Sequence, residues 1–357
     1  MMDGQNISLS LNFAETYSEM YSGDNDTEYP DLGENLFICN SIYIPNGIKI
    51  AMCFLYVHIF LLAIPGNLIV GLVIVFTRQS LLLSDLYLFH LSVADVLLAL
   101  TMPLWVTSVI WGWVFGDIMC KIVNLTMEVS FYSSILFLVC ISIDRYQVIV
   151  HAMETRRENW HRWRWAMCCG VWAFGVILSI PALFSGTYQA QDSMKIRCME
   201  SSGQKHRVAI RILRQMLGFL VPLMIMLVCY GLTVARLLRT RGFKKQRAMR
   251  VIIAVVAAFL ICWTPHHLWT MADTLVRARL VPFTCNTVQS LDLIMLATQT
   301  LALLHSCINP MLYAFLGEKF RGNVLQLFQR RARLEGSSLS RFSRSTSQTS
   351  DVATNFM

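Results

Sequence analysis

The chain has 357 residues, 55% of them hydrophobic and 15% charged, with a mean hydropathy of +0.51. Soluble domains carry about 25% charged residues, which argues against a water-soluble enzyme and for an integral membrane protein. The net charge of +8 is uneven: residues 1–48 hold eight acids and no Lys or Arg, leaving +16 on the remainder, and an acidic head on a basic apolar body does not suit a nucleic-acid partner.

The first basic residue is Lys49 and no early apolar run precedes it, so insertion by the first hydrophobic helix is expected. The head carries two glycosylation acceptors, Asn6-Ile-Ser8 and Asn25-Asp-Thr27. A third match, Asn124-Leu-Thr126, falls inside a span and is expected to stay unmodified.

A spanning helix needs about 20 mostly apolar residues. Seven windows qualify: Ile50–Phe76, Leu86–Val109, Ile122–Val150, Trp165–Phe184, Ile212–Ala235, Val251–Ala272 and Val288–Leu316. The fold expected is an all-α membrane protein, a seven-helix bundle over residues 49–316 behind the head at 1–48. Apolar residues Phe320, Val324, Leu325, Leu327 and Phe328 among Lys319, Arg321, Arg330 and Arg331 predict an amphipathic helix on the membrane lipid over 317–333. Residues 334–357 read as a disordered Ser/Thr-rich tail.

Orientation follows Lys and Arg in the loops. With the N-terminus outside, the inner loops and tail hold 19 of them, while the outer loops and outer span edges hold nine. The head is therefore expected outside and the tail in the cytoplasm.

Seven cysteines lie inside spans, and Cys39, Cys120, Cys198 and Cys285 lie at the outer face, where disulfides persist. Three pairings of the four are open. Ionisable groups inside spans are costly and point to function; these are Asp95, Glu128, Asp144, Arg145, Arg214 and Asp292. Asp144-Arg145 lies 24–25 residues past Cys120, roughly 36–38 Å at the helical rise, which puts it at the inner surface as either a structural pair or a lock. Bends are expected at Thr101-Met-Pro103, Pro181, Pro222, Cys262-Trp-Thr-Pro265 and Asn309-Pro-Met-Leu-Tyr313. No internal repeat, paired catalytic carboxylates or nucleophile motif supports a transporter or an enzyme.

Asn67 in Gly-Asn, Leu91-Ser-Val-Ala-Asp95, Cys120, Asp144-Arg-Tyr146, Trp172, Pro222, Cys262-Trp-Thr-Pro265 and Asn309-Pro-Met-Leu-Tyr313 fall on successive spans. Together they resemble the rhodopsin-like G-protein-coupled receptors. Thr101-Met-Pro103, Trp113-Val-Phe-Gly116, the Cys39 and Cys285 pair and His305-Ser-Cys-Ile-Asn-Pro310 look like a chemokine receptor. Lys245-Gln-Arg-Ala-Met-Arg-Val251, Ala272-Asp-Thr-Leu275 and Tyr313-Ala-Phe-Leu-Gly317 resemble the interleukin-8-type CXC group.

The resemblance implies outer disulfides Cys120–Cys198 and Cys39–Cys285, and an allosteric sodium site of Asp95, Ser134 and Asn309, with no other metal or cofactor. It implies a ligand pocket lined by Trp105, Arg207, Arg211, Asp273 and Gln299, with Trp263 beside Pro265 as its pivot. Arg145, Tyr230 and Tyr313, with Asp144, Tyr146, Asn309 and Pro310, are implied to rearrange to admit a heterotrimeric G protein of the inhibitory class. Arrestin and receptor kinases are implied partners of the tail, and the plasma membrane is the implied location.

The chain departs from the family pattern at Gln299, where many chemokine receptors carry glutamate, at Met127, at His266-His267, and at Gln147 and Val148 after the Asp-Arg-Tyr triplet. The last departure leaves a scavenger without G-protein coupling as the alternative. Tyr17, Tyr21 and Tyr29 lie among Glu15, Glu19, Asp24, Asp26 and Glu28, a setting for tyrosine sulfation, and this acidic head would steer a basic chemokine. Neutralising Asp24, Asp26 and Glu28 is expected to slow chemokine association, more so at low salt; equal on-rates in stopped-flow binding would contradict it.

Overall fold

The computed structural model describes residues 44–76, 83–150, 160–189, 195–200, 204–238, 243–278, 280–281, 284–316, 322–325 and 329. They all lie in the unit Asn40–Met357. Seven helical segments are long and apolar enough to cross a membrane: Asn46–Phe76, Asp85–Trp111, Gly116–Val150, Trp165–Phe184, Val208–Arg236, Ile253–Val276 and Gln289–Leu312. The third begins six residues earlier than its apolar run, because Asp117 and Lys121 pair at 2.9 Å and lengthen the helix beyond the hydrophobic stretch. Of the stretch beyond the seventh span, residues 322–325 are helical.

The third span is the axis of the bundle. Its apolar window is 67% buried, and no other span exceeds 39%. It packs on the second, fourth and fifth spans. Phe131, Ile135, Phe137, Leu138 and Ile141 form the central core with Phe219, Met226, Phe259 and Trp263. Phe54, Leu61, Ile177, Leu232 and Ile261 point outward and are exposed, the side expected to meet lipid.

Proline and hydroxyl groups decide where the helices break. The second span divides into Leu83–Leu100 and Met102–Trp111, where the Thr101 hydroxyl donates to the Leu98 carbonyl at 2.7 Å. The fourth ends in a 3-10 turn, Ile180–Phe184, with Pro181 in its first turn. In the fifth, a π-helical turn, Met216–Leu220, joins Gln204–Gln215 to Val221–Leu238 just before Pro222. Pro265 stays inside one continuous helix, Phe243–Arg277. The seventh breaks at Leu304, between Cys285–Leu303 and His305–Leu316, six residues before Pro310.

Pro310 has no N–H to give to the Ser306 carbonyl four residues earlier. Asn67 of the first span supplies the missing donor: its Nδ2 lies 2.8 Å from that carbonyl and 3.0 Å from the Ala63 carbonyl. Gly66 lets the two helices meet, since a Cβ there would stand 2.8 Å from Pro310 Cγ. An unpaired buried carbonyl costs about 1–3 kcal/mol, so Asn67→Ala should lower the thermal midpoint of the purified protein. Adding Pro310→Ala returns an N–H to Ser306 and should recover part of the loss; a double variant no more stable than Asn67→Ala would contradict this pairing.

Candidate functional site

A two-stranded antiparallel hairpin lies over the N-terminal end of the third span: β1, Ser185–Gln189, pairs with β2, Ile196–Glu200. Cys198 of β2 forms a disulfide with Cys120. Further polar contacts hold the hairpin in place. Asp117 accepts from the Thr187 N–H at 3.0 Å, the Trp113 N–H donates to the Ile196 carbonyl at 2.8 Å, and Lys195 Nζ donates to the Ile110 carbonyl at 2.8 Å. Trp113 is buried against Trp105 and Phe115, with its Nε1 donating to the Gly116 carbonyl at 2.8 Å. Burial of this ring gives the Trp113-Val-Phe-Gly116 motif its structural role. Asn124, one turn further in, donates to Cys198 Sγ at 2.9 Å.

The fifth span joins its neighbours through three polar residues, Arg211, Arg214 and Gln215. Arg211 Nη1 bonds Asp273 Oδ2 of the sixth span at 2.5 Å. Arg214 forms an ion pair with Glu128 of the third span and donates from Nε to the Tyr132 hydroxyl at 2.9 Å. Gln215 Nε2 donates to the His267 carbonyl at 3.1 Å, and its Oε1 lies 2.8 Å from His267 Nδ1. His267 also stacks on Phe219, with ring centroids 3.9 Å apart. The departure at His266-His267 therefore supplies a tie between the fifth and sixth spans. Tyr132 requires the glycine opposite it: a Cβ on Gly218, inside the π-helical turn, would stand 2.2 Å from Tyr132 Cε1.

An aromatic cluster joins the third and sixth spans. Phe131 lies 4.1 Å from Trp263 between centroids, and Trp263 Nε1 donates to His305 Nδ1 at 3.1 Å. His305 Nε2 lies 3.3 Å from Asp95 Oδ1, and Asn309 Nδ2 donates to Asp95 Oδ2 at 2.8 Å. Asp95, His305 and Asn309 are fully covered, so a row of buried polar side chains lies between the aromatic cluster and the second span. Ser130 Oγ, Ser134 Oγ and Asn309 Oδ1 are buried with no partner among the described residues. Hard oxygen donors beside a carboxylate suit an alkali cation better than a soft metal. Among the described residues, no cluster of three His, Cys, Asp or Glu side chains holds a metal.

Toward the C-terminal end of the third span Arg145 Nε lies 3.6 Å from Asp144 Oδ2, Asp144 is buried, and Tyr146 is half-buried. Tyr230 packs against the central core. Pro265 and Pro310 sit within helices of the sixth and seventh spans, and Trp105 and Gln299 are partly buried. Asn6, Tyr17, Tyr21, Asp24, Asn25, Asp26, Tyr29 and Cys39 lie outside the described residues, as do the tail and most of the amphipathic stretch. Arg207, Cys285 and Tyr313 lie on helices, but their side chains fall outside what is described.

Residues 66–313 match the 7 transmembrane receptor (rhodopsin family) sequence family. The chain belongs to that family. Within it, the receptor is 43% identical to C-X-C chemokine receptor type 1 of Oryctolagus cuniculus over 306 residues, 85% of either chain. It is 45% identical to C-X-C chemokine receptor type 2 of Bos taurus over 283 residues, and 42% identical to that of Homo sapiens over 282, each covering 78% of both chains.

The sequence flagged Glu128 and Arg214 as ionisable groups within spans, but it did not pair them. A Glu on one span and an Arg some 86 residues later carry no mark of adjacency. The same holds for Gln215 with His267. Removing one partner of a buried ion pair costs about 3–5 kcal/mol, whereas replacing both with apolar groups is often close to neutral. Arg211→Met leaves the covered Asp273 without its arginine and should lower the thermal midpoint; Arg211→Met/Asp273→Leu should recover most of it. Equal losses in the two variants would show that the pair contributes no coupling.

Proposed function

We propose that this receptor binds CXC chemokines of the interleukin-8 type at its extracellular face and activates heterotrimeric G proteins of the inhibitory class. Calcium mobilisation and leukocyte chemotaxis follow from that coupling. The observation that carries the reading is the side-chain path from Phe131 and Trp263 through His305 to Asp95, in a chain that aligns with C-X-C chemokine receptors over most of its length. A ligand that favours one packing of Trp263 on Phe131 changes the surroundings of Asp95 and biases the bundle between two states. The bias equals the ligand's differential affinity for those states.

Binding takes place at two points. The acidic head, with Tyr17, Tyr21 and Tyr29 as sulfation sites, meets the chemokine body, and the pocket of Trp105, Arg207, Arg211, Asp273 and Gln299 takes its N-terminus. The head is outside, carrying glycans on Asn6 and Asn25 and tied to the seventh span by Cys39–Cys285, and the tail is cytoplasmic. A sodium ion held by Asp95, Ser134 and Asn309 stabilises the resting state; the unpartnered buried oxygens of Ser134 and Asn309 support this assignment. At the inner face Asp144, Arg145, Tyr146, Tyr230 and Tyr313 open to admit the G protein, and the Ser/Thr-rich tail takes receptor kinases and arrestin.

The test is G-protein activation in cells expressing the chain, against a panel of CXC and CC chemokines, with Arg145→Ala alongside. The expected result is a response to CXC ligands bearing a glutamate-leucine-arginine motif that Arg145→Ala abolishes while binding persists. Binding and uptake with no activation by the parent chain would make the protein a scavenger and overturn coupling.

A further inference from the structure

Where the second and third spans meet the hairpin, the described residues leave an apolar rim open. Eight residues are exposed between positions 110 and 122, and six of them are large and apolar: Ile110, Trp111, Val114, Ile118, Met119 and Ile122. Ile118 is 76% exposed, the highest value for any large apolar side chain among the described residues, with Trp111 at 66% and Val114 at 63%. A water-facing loop rarely gathers so many, because each apolar side chain left in water forgoes its burial energy.

Two glycines in the left-handed region, Gly112 at φ +91° and Gly116 at φ +79°, bracket the connection between these spans. Between them Trp113 is buried, while Val114 stays exposed. On the third span Ile118 and Ile122 form one ridge at four-residue spacing, next to the ridge of the Asp117–Lys121 ion pair. The hairpin is fastened to the rim at three points. The Trp113 N–H donates to the Ile196 carbonyl, Lys195 Nζ donates to the Ile110 carbonyl, and a Cβ on Gly112 would stand 3.0 Å from the Ile196 carbonyl oxygen.

We propose that this rim is seated in the headgroup boundary of the bilayer, with Trp111, Val114, Ile118 and Ile122 against the acyl chains and Lys121 and Lys195 at the lipid phosphates, so that the leaflet itself holds the hairpin over the bundle. The inference needs neither ligand nor G protein and stands apart from the receptor reading. The rim continues the apolar surface of two helices that cross the membrane. Its level also fits. Both spans carry charge at their far ends, Asp85 on the second and Asp144-Arg145 on the third. Trp111 lies 26 residues from Asp85 and Ile118 lies 26 residues from Asp144. That is roughly 39 Å along a helix axis, against about 40–45 Å for a bilayer with its headgroups. Charges at one set of headgroups therefore put Trp111 and Ile118 at the other. Tryptophan and lysine settle at that level, the indole through its amphipathic ring and the lysine by extending its ammonium to phosphate.

The experiment places a spin label at Ile118→Cys or Val114→Cys in the full chain, held singly in nanodiscs of phosphatidylcholine and phosphatidylglycerol. Cys53→Ser and Cys169→Ser remove the described free cysteines that are not buried, and signal from the chain without the added cysteine is subtracted. Oxygen partitions into lipid and a nickel chelate stays in water, so the ratio of their relaxation effects reads depth. Both labels should read deeper than a lipid labelled on its headgroup, and a label at Gln189→Cys, exposed on β1, should read as aqueous. In Trp111→Ser/Val114→Ser/Ile118→Ser, hydrogen exchange of the hairpin amides should quicken about threefold or more while span-one amides stay unchanged. Ile118→Ser alone carries this second test where the triple variant does not fold. An aqueous reading at either rim label, or hairpin exchange that stays unchanged, overturns the proposal. Shielding that appears only with two receptors per disc overturns it as well, and assigns the rim to a second copy of the chain.

Discussion

Within the hydrocarbon core no water is present to satisfy a polar group, so a polar side chain on a span is costly unless its own helix or another span supplies a partner. This constraint organises the bundle more strongly than apolar packing, because lipid tails solvate leucine as well as protein does. Asn67 meets the Ser306 carbonyl left free by Pro310, Asn309 meets Asp95, Trp263 meets His305, and Arg214 meets Glu128 and Tyr132. These bonds join spans one, two, six and seven in one set and spans three and five in another, and Arg211 with Asp273 and Gln215 with His267 link the two sets. The fourth is tied in through Trp172 Nε1, which donates to His90 Nδ1 of the second span at 3.3 Å.

The same bonds divide the interior into levels. At the N-terminal end of the third span the disulfide, hairpin and buried Trp113 hold a roof whose position that span sets. Below it, arginines of the fifth span face carboxylates on two different spans. Lower still, the aromatic cluster adjoins the Asp95 cluster, where buried oxygens remain unpartnered among the described residues. A level that is fully satisfied resists change, and one with unmet donors or acceptors can accept an ion or a second arrangement. The irregular turns at Met216–Leu220 and Leu304 flank these lower levels, so backbone that departs from α-helical spacing lies beside the groups expected to rearrange.

Much of this was legible from the residues. Span number and order followed from seven uncharged or nearly uncharged windows, and the family followed from motifs in register on successive spans. Residues with a chemical reason to be where they are, such as Asp95 in an apolar helix, stood out without a structure. Helix breaks were read less well. Each expected bend was placed at a proline, yet the last helix continues through Pro310, whose exposed carbonyl Asn67 satisfies, and the seventh span breaks six residues earlier at Leu304. The third span starts earlier than its apolar run, since a surface ion pair extends a helix without adding hydrophobicity.

By itself the sequence determined the membrane-spanning class, the number of helices and the receptor family, because hydropathy and local motifs are properties of short stretches of chain. It also marked which ionisable residues would be costly to bury. Only the tertiary structure decided their partners: Arg211 with Asp273, Arg214 with Glu128 rather than with any other acid, Gln215 with His267, and Trp263 with His305. These partners are separated by dozens of residues and meet because of how the helices are rotated and displaced about the third span. That rotation is set by packing volumes such as the Tyr132 ring over Gly218, and no single helix specifies it.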